Sequence, residues 1–395
     1  MSIVEGGSAM TESRFSVTHV RMTSDRPFAD VQAAFEQRLG RFEPDVYQPL
    51  AEGGDPAAVR ARILSEGRLM KSWKAVRFGT PEEALRIQEL EIPAPGDGQV
   101  AIKVRAASVS LPDLMMIKGQ HPLIKSTPFS PGIEVAGIAS AVGNGAPFAV
   151  GDRVMTTTAY AAGWGGFAEY CLADATRTVL IPSHMTDVEA AGFLVPYKNA
   201  QVALVQRAVL HPGETLLVLG ASGTSGAAAI QFAKALDAQV IAVSSSSAKL
   251  EFCREIGADH VINYKTDDIL DRVNELTQGK GADVIFDPVG GILGNQASKA
   301  IARRGRFLLI GFASGSWIQL DPLDIAVRDY SVVGVFSARL TPEELARTHS
   351  EVIALAQEGR INTPIGKVFP FQDVPAALTY LTSDDLMGRV IVEIS

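Results

Sequence analysis

Cysteine is scarce in this chain: Cys171 and Cys253 are the only two among 395 residues, and they lie far apart in sequence. This scarcity excludes a disulfide scaffold and a metal site built from paired cysteines. It fits a protein of a reducing compartment, and we therefore expect a cytoplasmic location.

Long hydrophobic runs are also missing. The longest apolar segments, such as residues 215–219 and 307–310, have strand length and fall short of the roughly 20 residues that cross a bilayer. The first fifteen residues carry Glu5 and Glu12 and lack the apolar core of a secretory signal. We expect neither a membrane span nor a signal peptide.

A basic surface for nucleic acid is absent as well. The formal net charge is −8, and no run of Lys and Arg with interleaved aromatic residues occurs. Hydrophobic residues make up 47% and charged residues 20%, which is typical of a globular protein. A chain of 395 residues predicts two packed domains with an additional segment. Its net negative charge makes nucleic acid an unexpected partner.

The pattern of apolar and polar residues changes along the chain and predicts an α/β fold. We expect residues 1–72 to form a short α+β extension, and residues 73–195 alternate in a β pattern, with Val100, Ile102 and Val104 against Lys103 and Arg105. Residues 196–334 repeat apolar strand, turn and helix, which predicts a doubly wound parallel sheet. Residues 335–395, with two helices and a final strand RVIVEI, are expected to return to the β domain.

The strongest local signal is the segment TLLVLGASGTSGAAA, residues 215–229, where a buried strand meets a glycine turn and then a helix. Such a turn lets the backbone approach a pyrophosphate, and the following helix N-terminus attracts its charge. The segment therefore predicts a dinucleotide site, with these residues at the phosphates: Gly220, Ser222, Gly223, Thr224, Ser225 and Gly226.

The end of the next strand predicts which nicotinamide cofactor binds. An NAD site usually places Asp or Glu there, against the ribose 2′-hydroxyl. This chain has serines instead, including Ser244 and Ser245, followed by Lys249. Hydroxyl donors and a cation suit a 2′-phosphate, so we expect NADPH. The alternative for Lys249 is an exposed helix lysine without a ligand.

Many ordered segments of residues 73–395 together resemble one family. Among them are PGDGQVAIKVRAASVSLPDL, PFSPGIEVAGIASAVGNG, HPGETLLVLGASGTSG and ADVIFDPVGG. The chain resembles the quinone oxidoreductase branch of the medium-chain dehydrogenase/reductase superfamily. The resemblance implies a GroES-like β domain against a Rossmann domain and a homodimer or tetramer. It also implies that Tyr264 contacts the 2′-phosphate and that Phe312 and Val335 lie near the nicotinamide.

Zinc-dependent relatives hold their metal with a Cys, the histidine of a Gly-His-Glu element and a further ligand, and this chain departs from that pattern. Ser110 stands at the cysteine position, and the element reads Gly132-Ile133-Glu134. Zinc needs three or four ligands. We expect no metal, and Glu134 is then a structural carboxylate.

The resemblance implies candidate catalytic residues in two segments. Tyr197 and Asn199 occupy the segment joining the domains, where relatives carry a tyrosine and a threonine near the nicotinamide; Tyr197 either donates to an oxyanion or is buried at the domain seam. His121 stands where quinone-reducing relatives often have an aromatic residue at the substrate mouth, and its alternative is to end a turn. Asp113 is a second cleft candidate, with helix capping as its alternative.

Without a metal, the scaffold suits hydride transfer to an acceptor that is already electrophilic, namely a quinone or a conjugated enone or enal. An alkenal or enoyl-thioester double-bond reductase is the second enzyme hypothesis, and a non-catalytic NADPH-binding redox sensor is the alternative from another class. We expect the extension 1–72 to serve either as an added dimer contact or as a lid over the cleft.

Overall fold

The computed structural model describes residues 69–121 and 123–394. The predicted extension, with its lid alternative, lies outside the described residues apart from its last four. Those four belong to strand β1, Leu69–Ala75, which pairs antiparallel with β2, Leu85–Glu91. The boundary placed at residue 73 therefore cuts a strand, and the folded β domain begins no later than Leu69. Within the described residues, no helix is long and apolar enough to cross a membrane.

The β domain is built on one antiparallel sheet. In β3 the residues Val100, Ile102 and Val104 are buried while Lys103 is exposed, as the alternation predicted. Buried side chains from this face join Trp73 and Phe129 in a core. The elements of this part are β3 Gln99–Val109, β4 Glu134–Val142, β5 Arg153–Thr157, β6 Tyr170–Asp174, β7 Thr178–Leu180, α1 Pro81–Ala84, α2 Leu111–Ile117 and α3 Asp187–Ala190.

One helix runs from the β domain into the second domain. Helix α4 spans Leu194–Gln201 and continues as a π-helical segment, Val202–Arg207. Short π-helical segments within α-helices occur frequently at functional sites.

The second domain is a six-stranded parallel sheet. Along β8, Leu216 and Val218 pack into one hydrophobic cluster and Leu217 into another, so both faces of the sheet are covered. Its strand order is β10-β9-β8-β11-β12-β13. The elements are β8 Thr215–Val218, β9 Gln239–Ser244, β10 His260–Asn263, β11 Ala282–Asp287, β12 Ile301–Leu309, β13 Ser331–Gly334, α5 Thr224–Ala235, α6 Ser247–Glu255, α7 Ile269–Leu276, α8 Gly291–Ser298 and α9 Pro322–Arg328.

The C-terminal segment returns to the sheet of the β domain. After α10, Pro342–Gln357, come β14, Ile365–Pro370, α11, Val374–Tyr380, and β15, Arg389–Glu393. The final strand pairs with β3, which gives the sheet order β14-β15-β3-β4-β5-β7, with β6 also on β3.

Candidate active site

The glycine turn after β8 has the geometry of a phosphate-binding loop. Gly220 has a φ of +56°, a backbone conformation that glycine adopts readily. A Cβ on Gly226 would lie 2.5 Å from the carbonyl oxygen of Gly220, so only glycine fits where helix α5 passes the strand. Gly223 is the N-cap of the twelve-residue helix α5, and Thr224 and Ser225 form its first turn. The backbone therefore leaves room for a pyrophosphate at a helix N-terminus.

The predicted 2′-phosphate residues lie together beside this turn. The hydroxyl groups of Ser222 and Ser244 are 2.9 Å apart, and the backbone N–H of Tyr264 donates to the carbonyl of Ser244 over 3.1 Å. Ser245 and Lys249 are half-buried at the start of α6, and the Tyr264 side chain is exposed. The strand ends thus bring hydroxyl donors and a lysine to one edge of the sheet.

The predicted nicotinamide residues follow the other strands of the same sheet. The ring of Phe312, beyond β12, lies 4.7 Å from that of Trp317. Val335, beyond β13, donates its backbone N–H to the carbonyl of Leu309 over 3.1 Å. Two residues further, the Ser337 hydroxyl donates a short hydrogen bond to Asn199 Oδ1. Asn199 is therefore brought to the segment that contains Val335.

A contact that the sequence did not reveal joins the phosphate loop to the β domain. The N–H of Gly388 donates to the carbonyl of Ser222 over 2.8 Å, and the Thr224 hydroxyl donates to the carbonyl of Gly388 over 3.2 Å. Gly388 immediately precedes β15 and is more than 160 residues from the turn. No local sequence pattern marks such a contact.

The structure corrects the placement of Asp113. Its carboxylate is fully buried and accepts hydrogen bonds from the N–H groups of Ser110, Gly132 and Ile133 at 3.0, 3.0 and 3.1 Å, and from the Ser110 hydroxyl. Burial raises its pKa to about 6 against these hydrogen bonds. Asp113 caps α2 and holds the Gly132 turn, which supports its capping alternative over a cleft role.

Glu134 is held as a structural carboxylate in the domain seam. Its Oε1 accepts from the N–H of Val195 over 2.9 Å, and its Oε2 forms a short ion pair with Arg389 and accepts from Ser108. Burial raises its pKa, and Arg389 opposes that shift. Within residues 69–121 and 123–394 no group of three or more His, Cys, Asp and Glu is placed to hold a metal. Metal-free chemistry stays a prediction.

Tyr197 is not placed as a donor to a substrate. Only 1% of its surface is exposed, its ring stacks on Phe193, and its hydroxyl donates to Gln231 Oε1 over 2.8 Å and to the carbonyl of Asn362. Burial raises the pKa of the phenol. The structure thus supports the alternative of a tyrosine buried at the seam, because its hydroxyl already has protein partners.

His121 lies on the rim of the β domain. Its ring packs edge-on against Tyr160 with centroids 6.1 Å apart, and its Nδ1 accepts from the N–H of Leu123 over 3.3 Å. Burial, with the charge of Lys125, lowers its pKa to about 4, so the imidazole is neutral at pH 7. Since Nδ1 is the acceptor, Nε2 carries the proton. Its catalytic role stays a prediction.

Lys198 lies in α4 between Tyr197 and Asn199, and the sequence analysis assigned it no role. It is half-buried, and burial together with Arg177 lowers its pKa to about 8. Lysine in a helix is usually a surface residue, and its spacing alone does not reveal a half-buried position at a domain seam.

A parallel sheet with this glycine turn, closed by a β domain over the carboxyl ends of its strands, defines the class of nicotinamide-dependent dehydrogenases and reductases. Comparisons identify the family. The alcohol dehydrogenase GroES-like domain family matches residues 96–183, and the zinc-binding dehydrogenase family matches residues 226–355.

Individual proteins and structures that are similar to this chain support the same family. A quinone oxidoreductase of Sus scrofa is 30% identical over 311 residues, covering 78% of this chain and 93% of that protein. The structure of a probable oxidoreductase from Mycobacterium abscessus superposes with a TM-score of 0.75 at 32% identity, covering 83% of this chain and 99% of that one. A mycobacterial structure complexed with NADPH has a TM-score of 0.75 at 28% identity and covers 82% and 100%.

The chain therefore belongs to the medium-chain dehydrogenase/reductase superfamily, in its quinone oxidoreductase branch. It is an NAD(P)-dependent oxidoreductase that acts on a small molecule. The predicted family and the predicted combination of a Rossmann domain with a GroES-like domain are both confirmed.

Proposed function

We propose that this protein is an NADPH-dependent reductase that transfers hydride, without a metal, to a quinone or to a conjugated enone or enal. The observation that carries the choice of cofactor is the end of β9, where Ser244, Ser245 and Lys249 stand in place of a carboxylate. An acidic residue there would repel a 2′-phosphate, whereas hydroxyl groups and a lysine attract it.

The residues present fit the cofactor along its whole length. Gly220, Gly223 and Gly226 leave space for the pyrophosphate, and Ser222 with Tyr264 flanks the adenosine end. The remaining residues for the nicotinamide end are Phe312, Val335 and Asn199. Bound NADPH supplies a hydride from C4 of its nicotinamide, and the chain orients that atom and excludes water around it.

The acceptor is proposed from chemistry and from the relatives. Quinone oxidoreductases are among the proteins this chain is similar to. Leu123, whose backbone N–H donates to His121, is exposed, and an apolar side chain beside the cleft favours a flat, weakly polar acceptor over a sugar or a small alcohol. With Ser110 and Ile133 at the positions of zinc ligands, the acceptor has to be electrophilic before it binds.

We further propose that the protein is a homodimer and that it lies in the cytoplasm. Strand β13 forms one edge of the parallel sheet, and Leu323 and Val327 on the neighbouring helix α9 are largely exposed. Among residues 69–121 and 123–394 no strand pairs with the outer side of β13, and such an edge beside exposed apolar side chains suits pairing with a second copy of the chain. Cys171 and Cys253 are buried and unpaired, which is compatible with the cytoplasm.

The test follows NADPH absorbance with purified protein and a panel of acceptors: 1,4-benzoquinone, 9,10-phenanthrenequinone, trans-2-hexenal, an aryl enone, crotonyl-CoA, and a simple alcohol with NADP⁺. Turnover of the quinones supports the quinone reductase, and preferred turnover of enals, enones or the thioester moves the assignment to double-bond reduction. NADPH binding without turnover would support the sensor. Activity that a chelator abolishes and zinc restores would contradict metal-free chemistry.

A further inference from the structure

The helix that joins the two domains changes its hydrogen-bond pattern partway along. Its first part, Leu194–Gln201, is α-helical, and its second part, Val202–Arg207, is π-helical. The N–H of Ala208 closes the π-turn by donating to the carbonyl of Ala203, five residues earlier, over 2.8 Å. Because the π-helix is rare, such a turn requires side chains that maintain it.

Two glutamines maintain the π-turn. Gln206 Nε2 donates to Gln201 Oε1 over 2.7 Å and to Thr348 Oγ1 of α10 over 3.0 Å. Gln201, which is only 1% exposed, donates in turn to Glu351 of α10. In an α-helix, residues five apart point about 140° away from each other around the axis, whereas a turn closed over five residues brings them toward one face. Reversion to an α-helix would therefore break hydrogen bonds of a buried amide.

The π-turn also determines where the end of the helix points. Asn199 and Arg207 are eight residues apart, and in a continuous α-helix they would point about 80° apart around the axis. In the structure both contact one short segment of the second domain. Asn199 Oδ1 accepts from the Ser337 hydroxyl, and Arg207 Nε donates to the carbonyl of Gly334 over 3.1 Å. The wider turn thus brings the two side chains to the two ends of residues 334–337.

Residues 334–337 lie at the same edge of the parallel sheet as the glycine turn. They begin at the carboxyl end of β13, and the glycine turn follows the carboxyl end of β8. Ser244 ends β9, which lies on the opposite side of β8 from β11, β12 and β13. A dinucleotide with its 2′-phosphate at β9 and its pyrophosphate at β8 therefore extends its nicotinamide half over the ends of β11, β12 and β13.

We propose that the π-turn positions the nicotinamide half of NADPH: the Gln201–Gln206 pair maintains the turn, and the turn directs Asn199 and Arg207 to residues 334–337, which border the nicotinamide. The proposal rests on the proposed function, through its NADPH site. Two contacts from one helix fix both ends of the segment before the cofactor arrives. A preformed wall costs less ordering on binding and holds the hydride donor in one orientation.

Stability alone does not account for the Arg207 contact. Arg207 and Gly334 are both exposed, and water can replace either partner of a hydrogen bond between exposed groups. The net contribution of such a bond to the free energy of folding is small. Its effect is then on the position of residues 334–337, and Arg207 is a positioning residue that can be replaced without unfolding the protein.

The first experiment compares the binding of NADPH with that of 2′-phosphoadenosine diphosphoribose, which has the same phosphates and lacks the nicotinamide. In Arg207→Met we expect the Kd for NADPH to rise about fivefold, because a charge-assisted hydrogen bond that orders the nicotinamide wall is lost, while the Kd for the fragment stays within about twofold. Arg207→Lys should recover part of the NADPH affinity, since it keeps a charged donor. Isothermal titration calorimetry measures both ligands, and Arg347→Met, exposed on α10, is the control for a lost surface arginine.

The second experiment tests the part played by the π-turn. Gln206→Leu removes the glutamine pair and should cause the same selective loss of NADPH affinity. The double variant Gln206→Leu/Arg207→Met should bind NADPH within about twofold of the weaker single variant, because both changes act through one contact. Hydrogen exchange of the peptide that contains residues 334–337, measured without cofactor, should be faster in each variant. Arg207→Met alone decides the case in which Gln206→Leu does not fold.

The outcomes separate this proposal from the function on which it rests. Equal weakening of NADPH and the fragment in Arg207→Met, unchanged binding of both, or additive losses in the double variant would overturn the positioning role. Wild-type protein that binds NADPH and reduces no acceptor would overturn the reductase and leave the positioning role in place. Wild-type protein that binds neither ligand would overturn both.

Discussion

Asp113 holds together two turns that lie far apart in the sequence. It joins the start of α2 to the Gly132-Ile133 turn through backbone N–H groups that have no other partner there. A pattern of Ser and Asp three residues apart reveals a helix cap. The second turn, nineteen residues away, becomes visible only in the folded chain.

Replacing Asp113 with Ala should lower the free energy of unfolding by about 3 kcal/mol, because buried N–H groups lose their acceptor. Asp113→Asn should lose less, since its amide oxygen still accepts from the Gly132 turn. Urea denaturation at pH 7 measures both. A loss below 0.5 kcal/mol in Asp113→Ala would show that these hydrogen bonds are not needed for stability.

A second substitution of a single residue, at Lys249, tests the proposed 2′-phosphate site. Lys249→Ala should weaken NADPH binding by about tenfold, the loss of one charge-assisted contact, and leave NADH binding nearly unchanged. Fluorescence titration with both cofactors measures this ratio, and Lys280→Ala is the control for a lost surface charge. Equal weakening of both cofactors would remove Lys249 from the phosphate site.

At the scale of elements, the strand-turn-helix unit from β8 to α5 was predictable because its signals are local. Burial of the strand, the glycine positions and the small residues of the helix all lie within fifteen residues of sequence. The contact with Gly388 was not predictable, because it depends on how β15 approaches the turn in space. The same holds for the start of β1, whose partner strand lies beyond the composition change used as a boundary.

Gly226→Ala tests this unit. Its new Cβ would meet the carbonyl oxygen of Gly220 at 2.5 Å and the backbone of Ala221, so strand and helix have to separate. We expect a loss of about 2 kcal/mol in stability, as for an overpacked site, and at least a tenfold weaker affinity for NADPH. Thermal unfolding with and without NADPH measures both effects.

Gly96→Ala is the control for Gly226→Ala, since Gly96 lies in a loop of the β domain without a left-handed φ and a Cβ there meets only the flexible Gln99 side chain, at 3.4 Å. Retained NADPH affinity in Gly226→Ala would show that the turn does not hold the pyrophosphate.

At the scale of the whole molecule, the proposed dimer rests on strand β13, which is an edge strand of the parallel sheet in the part of the chain that the structure describes. Leu323 and Val327 on α9 are 69% and 75% exposed beside β13. Val327→Lys should convert a dimer into a monomer, because it places a charge in the apolar contact. Light scattering after size exclusion gives the mass.

Val150→Lys is the matched control, because Val150 is 68% exposed on the β domain, away from the edge strand. A dimer that survives Val327→Lys, or a monomer in the wild type, would contradict an interface at this edge.

The sequence by itself determined the family, the doubly wound sheet and the phosphate-binding turn, since each depends on periodicity or on residues adjacent in the chain. Tertiary structure alone decided how Asp113 and Tyr197 are buried and which groups they hydrogen-bond. Whether a polar side chain is satisfied, buried or left without a partner depends on elements that reach it from distant parts of the chain. Burial and neighbouring charge, which no local pattern encodes, then set its pKa.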